Sequence, residues 1–176
     1  FSRLNVKIVS PLEFGDMPKI IEDGKTFEEN AKIKAEKIFE MYKIPTIADD
    51  SGLEVTQLNN EPGIYSARYA GKNCTYADNN KKILNELKSF PAPHNARFVC
   101  CAVFLDSEKY FSKIGILTGQ IINEFRGNNG FGYDPIFLPD GYDRTLAELD
   151  TGEKNMISHR GKAFKSLAQI LNVKGI

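Results

Sequence analysis

Cysteine and histidine are scarce in this sequence. Three cysteines, Cys74, Cys100 and Cys101, do not make a disulfide framework. Cys100 and Cys101 are neighbours in an apolar run, so on a strand they point to opposite sides. Buried reduced thiols are expected, and with them a reducing, cytoplasmic setting. Two histidines, His94 and His159, with no C-x-x-C pair, argue against zinc. An excess of either charge is also missing. Lys plus Arg and Asp plus Glu number 23 each, for zero net charge, so duplex nucleic acid is not an expected partner. A local basic pocket for a small anion stays open. The longest apolar run, Phe98 to Leu105, is far too short to cross a bilayer, so no membrane partner is expected. Phe1-Ser2-Arg3-Leu4 is not a basic stretch followed by an apolar one, so no secretory leader is expected. No G-x-x-x-x-G-K-[ST] segment occurs, which excludes a Walker-type nucleotide loop. Repeats, low-complexity tracts and dividing linkers are absent, and 176 residues suit a single domain, 1–176.

What is present is globular: 41% hydrophobic and 26% charged residues, enough for a substantial core. Val6 to Val9 reads as a short strand ended by Pro11. Thr26 opens a helix, with Glu29 completing a capping box. Phe27, Ala31, Ala35, Ile38 and Tyr42 then mark one face, and the helix ends near Lys43 because Pro45 disfavours helical geometry before itself. Thr75 to Phe90 reads as a second helix with Tyr76, Ile83, Leu84 and Leu87 on its face. Ala96 to Leu105 and Tyr110 to Thr118 are β-branched and aromatic, and the Asp106-Ser107-Glu108-Lys109 link predicts an antiparallel hairpin. Gln120 to Phe125 extends its second strand. Ile136 to Leu138 is a short strand, and Thr151 to Met156 is one helical turn or two. Ser158 caps a last helix whose core face is Phe164, Leu167, Ala168 and Leu171. This alternation predicts a mixed-sheet α/β domain, with room for two lobes.

Ile44 to Ala48 and Leu53 to Thr56 read as two short strands with Asp49-Asp50-Ser51-Gly52 between them. If one strand runs through, neighbours alternate faces, and Asp49 and Asp50 do not both face one ligand. One carboxylate then faces a cleft and the other braces the turn. A carboxylate at the end of an apolar strand can hold Mg²⁺ or activate water. A plain Asx-type turn is the alternative.

Gly127-Asn128-Asn129-Gly130-Phe131-Gly132-Tyr133-Asp134-Pro135 cannot be regular structure. A flexible surface loop is one reading. Against it, Phe131 and Tyr133, spaced by one glycine, can offer a planar slot for a heterocycle. Outside the core pattern stand Glu22, Glu29, Lys34, Asp49, Asp50, Ser51, Phe131, Tyr133, Asp134, Lys154, Ser158, His159 and Arg160. Carboxylates for a hard cation, cationic donors and aromatic faces suit a Mg²⁺-nucleotide better than a peptide, sugar or lipid. Arg160 has a planar fork that reads a carbonyl or phosphate. Each charged residue has a solvated surface role as its alternative.

Ile47-Ala48-Asp49-Asp50-Ser51-Gly52-Leu53, Pro62-Gly63-Ile64-Tyr65-Ser66-Ala67-Arg68-Tyr69, Gly130-Phe131-Gly132-Tyr133-Asp134-Pro135 and Ile157-Ser158-His159-Arg160 occur in that order. Together they resemble the inosine triphosphatase family, the Ham1-like and RdgB-like pyrophosphatases of non-canonical purine nucleoside triphosphates. Thr26-Phe27-Glu28-Glu29-Asn30-Ala31 resembles the family's helix start, and the likeness runs from about Glu22 to the C-terminus. The resemblance implies an elongated α/β fold, a mixed sheet flanked by helices in two lobes with the site in the cleft between them, and a homodimer. It implies Mg²⁺-dependent hydrolysis of dITP, ITP or XTP to the monophosphate and pyrophosphate. By position Asp50 matches the proton acceptor and metal ligand, supported by Asp49, and Glu22 matches a second metal carboxylate. Ser51 matches a substrate contact, and Phe131 and Tyr133, on either side of Gly132, would hold the base. Asp134, Lys154, His159 and Arg160, with Ser158 beside them, match base-reading residues. Glu29, Asn30 and Lys34 match cleft residues near metal and phosphates.

Two departures from the family pattern stand out. Asn129 replaces a frequent glycine, and asparagine tolerates left-handed backbone. The family's first strand and its T-x-N-x-x-K phosphate loop have no counterpart here, and Phe1-Ser2-Arg3-Leu4 resembles the tail of the helix that follows that loop. The expectation is a natural protein roughly 15 to 20 residues longer, one strand plus a helix start, and a poorly stable, nearly inactive polypeptide if it truly began at Phe1. A non-catalytic purine nucleotide binder and an unrelated Mg²⁺ phosphohydrolase are the competing readings.

Overall fold

The computed structural model describes residues 6–15 and 19–173. Four strands form one sheet: β1 (Thr46–Val55), β2 (His94–Leu105), β3 (Tyr110–Ile121) and β4 (Phe137–Pro139), in the order β1-β2-β3-β4. Every ladder among them is antiparallel, where the sequence pattern had pointed to a mixed sheet. Four α-helices among the described residues flank it: α1 (Phe27–Tyr42), α2 (Tyr76–Leu87), α3 (Thr151–Ile157) and α4 (His159–Val173).

β2 is buried from Phe98 to Phe104, as a central strand covered on both faces must be. The two adjacent cysteines divide between those faces. Cys101 and Val103 pack with Ala31 and Ala35 of α1. Cys100, Ala102 and Phe104 pack with Ala163, Leu167 and Leu171 of α4. At the other end of the sheet, Ile83 and Leu87 of α2 join Leu53, Val55, Phe98 and Phe137 in a third cluster. No cysteine is in a disulfide, and no helix among the described residues is long and apolar enough to cross a membrane.

The hairpin forms as predicted, and Asp106 Oδ1 accepts from the amides of Glu108 and Lys109 at 2.8 and 2.7 Å to shape its turn. The second strand stops at Ile121, short of Phe125. α1 is capped by Thr26, whose side chain accepts from the Glu29 amide. The capping box is only half made, because the Glu29 carboxylate accepts from Lys25 N at 2.6 Å rather than from the Thr26 amide. The helix ends at Lys43, which takes the left-handed conformation at φ 56°. Ser158 Oγ accepts from Gly161 N at 3.0 Å, so the cap at the start of α4 is real. Residues 6–10 form no strand; Val6 and Ile8 are exposed and have no ladder to join. The largest revision falls at the acidic stretch. β1 runs unbroken from Thr46 to Val55, so Asp49-Asp50-Ser51-Gly52 is strand and not a turn between two strands. The Cys100 and Cys101 partners across the ladder, opposite Ser51 and Asp50, supply the regular pairing that an isolated reading of this polar tetrad cannot anticipate.

Candidate active site

A continuous β1 sends Asp50 and Gly52 to one face of the sheet and Asp49 and Ser51 to the other. On the α1 face, Lys34 Nζ lies 2.9 Å from Asp50 Oδ1 and 3.0 Å from Glu22 Oε2. Asn30, itself fully buried, donates to Asp50 Oδ2 at 3.3 Å and accepts from Gly24 N at 2.9 Å. Burial pushes the Asp50 carboxyl above the usual aspartate range, and the Lys34 contacts offset only part of that. Burial also works against the Lys34 charge, but hydrogen bonds to Asp50 and Glu22 outweigh it and hold the ammonium firmly protonated.

On the α4 face, Arg160 Nε donates to Asp49 Oδ2 at 3.0 Å and a terminal guanidinium nitrogen donates to Ser51 Oγ at 3.1 Å. The Cys100 thiol also approaches Asp49, at 3.5 Å. Two faces of a sheet serve one cavity because β1 stands at the sheet edge among the described residues. The cavity, about 730 Å³, wraps that edge and is bordered by Asp49, Asp50 and Ser51 alike. The expectation that only one of the two carboxylates faces the cleft is therefore corrected. Gly52 closes the edge: a Cβ there would meet Gly63 O at 2.3 Å and Ser66 Oγ at 2.5 Å, and Ser66 Oγ accepts from Leu53 N at 2.8 Å.

The glycine loop forms the opposite wall. Gly127, Gly130 and Gly132 all have positive φ, between 64° and 80°. Gly130 is also sterically required, because a Cβ would meet the Asp134 carboxylate at 2.1 Å. Asp134 is buried, accepts from Phe131 N at 2.7 Å and pairs with Lys154 of α3. Lys154 Nζ sits 4.7 Å from the centre of the Phe131 ring. Phe131 is 54% exposed at the rim and Tyr133 only 3%. The Tyr133 hydroxyl donates to Ser66 O at 2.8 Å, so this aromatic ties the loop to the segment beyond Gly52.

At the α3–α4 junction, His159 stacks on Phe98 with ring centres 4.8 Å apart and planes at 10°. Burial, reinforced by the positive charges of Arg160, Lys154 and Lys162, drives its pKa down to about 3 from 6.5. The folded protein thus keeps His159 neutral where the unfolded chain protonates it. Between pH 6.5 and about 3 the unfolded state binds the extra proton, and stability falls as pH falls. His159→Phe keeps the stack and removes this linkage. Its Tm should drop less than the parent's between about pH 7 and about pH 4; identical Tm–pH profiles would contradict the assignment.

Of the residues expected from sequence, Lys34, Asp49, Asp50, Ser51, Phe131, Gly132, Tyr133, Asp134, Lys154, Ser158, His159 and Arg160 all border the cavity. Asn30 and Glu22 reach it through Asp50 and Lys34. The Glu29 carboxylate is turned onto the Lys25 amide. Tyr76, assigned to a core face by its spacing, is instead 56% exposed and borders the cavity, its ring 6.3 Å from that of Phe131. Its place at the first position of a capped helix, where side chains splay from the core, was the available signal. Asn129 of the glycine loop and Asn155 also line the cavity, and nothing in the spacing marked Asn155.

An α/β protein with an anionic and a cationic cluster at one sheet edge, facing a glycine loop with an aromatic rim, is of the class that binds a planar, phosphorylated ligand. The chain belongs to the Ham1 family, which matches it over residues 1–170. It is 45% identical over 174 residues to a dITP/XTP pyrophosphatase of Shewanella oneidensis, covering 97% of this chain and 84% of that one. It is 47% identical over 167 residues to a dITP/XTP pyrophosphatase of Bacillus licheniformis, covering 94% and 85%. A HAM1 protein structure from Coxiella burnetii superposes with a TM-score of 0.91 at 42% identity, covering 97% of this chain and 88% of that one.

Proposed function

We propose that this protein hydrolyses non-canonical purine nucleoside triphosphates, dITP, XTP and ITP, to the nucleoside monophosphate and pyrophosphate, in the cytoplasm and as a homodimer. The observation that carries this reading is the convergence of Asp50 and Lys34, the latter paired with Glu22, on the same cavity that Phe131 and Lys154 border from the other side.

Two carboxylates, Asp50 and Glu22, are the donor type that Mg²⁺ takes. Glu22 Oε2 and Asp50 Oδ1 both point at one positive centre, at 3.0 and 2.9 Å from Lys34 Nζ. Mg²⁺ characteristically takes one or two carboxylates and completes its shell with water and substrate phosphate. Asp50 and Glu22 would hold it, and its chemistry there would be to neutralise phosphate charge and polarise the phosphoryl group. The chain's own residues do the rest. Asp50 accepts the proton of the water that attacks the α-phosphorus, and the α–β anhydride bond breaks to release pyrophosphate. Asp49 and Ser51 hold Arg160 in place, Lys34 faces the phosphates, and Phe131 stacks on the base.

Base choice follows from donors. Hypoxanthine and xanthine carry an oxygen at position 6, where adenine carries an amino group. Arg160 and Lys154 can only donate, so adenine leaves a donor unmet. Two of the five guanidinium donors of Arg160 are committed to Asp49 and Ser51, which orients the remainder. Arg160→Ala should lower the ITP-to-ATP ratio of kcat/KM by roughly tenfold or more. An unchanged ratio would remove Arg160 as the discriminator.

Product analysis with ITP and Mg²⁺ tests the whole reading. Pyrophosphate plus monophosphate is the expected result. Stepwise orthophosphate release would indicate a different phosphohydrolase, and binding without turnover a nucleotide-binding protein. Sedimentation of the same sample gives the stoichiometry.

A further inference from the structure

Two adjacent asparagines on α2, Asn79 and Asn80, are each only 2% exposed. Asparagine is a poor helix former, and burying two in a row calls for a reason. Their side chains reach the two attachments of Tyr133. Asn80 Nδ2 donates to the carbonyl of Gly132 at 3.0 Å. Asn79 Nδ2 lies 3.3 Å from the carbonyls of both Ser66 and Ala67, and its Oδ1 accepts from Ala70 N at 2.7 Å. The Tyr133 hydroxyl donates to the same Ser66 carbonyl.

The pair differs in one respect. Asn79 has partners on both ends of its amide, while Asn80 Oδ1 is buried with none. The amide cannot be turned round, because its oxygen would then face the Gly132 oxygen. A buried acceptor left unmet costs at least what one ordinary hydrogen bond returns. Stability therefore does not explain Asn80. What its single bond does is fix one peptide in a loop whose glycines at 127, 130 and 132 give it intrinsic freedom. Phe131, more than half exposed, meets Lys154 and Tyr76 at the rim rather than the core. Its own backbone is held by Asp134, whose carboxylate accepts from Phe131 N and whose amide donates to Phe131 O at 3.3 Å, and the Gly132-Tyr133 peptide that follows is held by Asn80 at the Gly132 carbonyl.

We propose that Asn80 is a positioning residue: it holds the Gly132-Tyr133 peptide, the one that follows Phe131-Gly132, so that the Phe131 ring is presented to the base, and selectivity among purines depends on it. The proposal rests on the functional reading above and deepens it.

The test is Asn80→Leu in the full chain, which removes the donor and the unmet acceptor in one near-isosteric step. Tm should hold or rise. KM for ITP should increase roughly tenfold with kcat within about threefold, and the preference for ITP over ATP should shrink. Hydrogen exchange should quicken in peptides spanning residues 127–136 and stay unchanged elsewhere. A normal KM, preference and local exchange at parental Tm would overturn the proposal. So would a lowered Tm with faster exchange throughout the protein and KM unchanged, the mark of a merely structural residue. If the parent itself does not turn over ITP, the functional reading fails, and the exchange measurement alone decides whether Asn80 holds the loop. If the leucine variant does not fold, Asn80→Ala undergoes the same measurements and is judged by the same outcomes.

Discussion

Asp50→Asn should reduce kcat for ITP by about 10²- to 10⁴-fold, the usual contribution of a positioned general base, while the protein stays folded. Asparagine keeps the shape of the side chain and its place beside Asn30, but it cannot take a proton from water. The effect on stability should be small, because two consequences oppose each other. The substitution loses the ion pair to Lys34, which retains Glu22 at 3.0 Å. It also removes a carboxylate whose burial penalises its charge. The raised Asp50 pKa means that the folded state binds the proton more tightly than the unfolded chain, so ionised Asp50 lowers stability as pH rises through the window above 3.8. Tm should therefore stay within about 5 °C of the parent. Steady-state turnover together with a melting curve on one preparation decides the matter. Activity within threefold of the parent would remove Asp50 from the chemistry.

Gly115→Val should disable the site from outside it. Gly115 lies on β3 beneath the first turn of α4, and a Cβ there would meet the backbone at His159 O (2.1 Å) and Ala163 N (2.4 Å). Both are main-chain atoms, so the helix itself must move. Overpacking of this kind costs about 1–3 kcal/mol, or a Tm lower by roughly 3–10 °C for a chain of this size. α4 carries His159 and Arg160 in that same first turn. A displacement near 1 Å is enough to lower activity by about 10²-fold. The Arg160 contacts to Asp49 and Ser51, now 3.0 and 3.1 Å, would open together. Calorimetry and ITP turnover should both register the change; a variant with parental values of each would show that α4 has slack the packing does not reveal.

Local signals in the sequence settled the elements whose causes are themselves local. Thr26 and Ser158 cap helices as residues of their type do, and Pro45 ends α1 on schedule. The apolar run through Cys100 and Cys101 became the central strand, with the two thiols on opposite faces, because alternation is a property of the strand alone. The glycine loop was legible for the same reason: positive φ, as at Gly130 and Gly132, favours glycine through local sterics alone. The chemistry of the cleft could be read as a set of residue types and motifs without knowing their distances.

Tertiary structure decided where those residues meet. Asp49-Asp50-Ser51-Gly52 looks like a turn by composition, yet ten ladder pairs with β2 hold it as strand, because pairing along Ala96 to Leu105 outweighs the local preference of four polar residues. Both carboxylates reach one cavity because β1 is an edge among the described residues, and strand order is a relation between segments some fifty residues apart. Tyr76 has the spacing of a core residue, but the turn into α2 sets it on the cleft rim. Asn80 carries no motif; its role exists only when α2 is brought within 3.0 Å of Gly132, fifty-two residues further along the chain. Propensity and periodicity act between residues near in sequence, whereas a site is made by contacts between distant ones, and those are fixed only when the whole core packs.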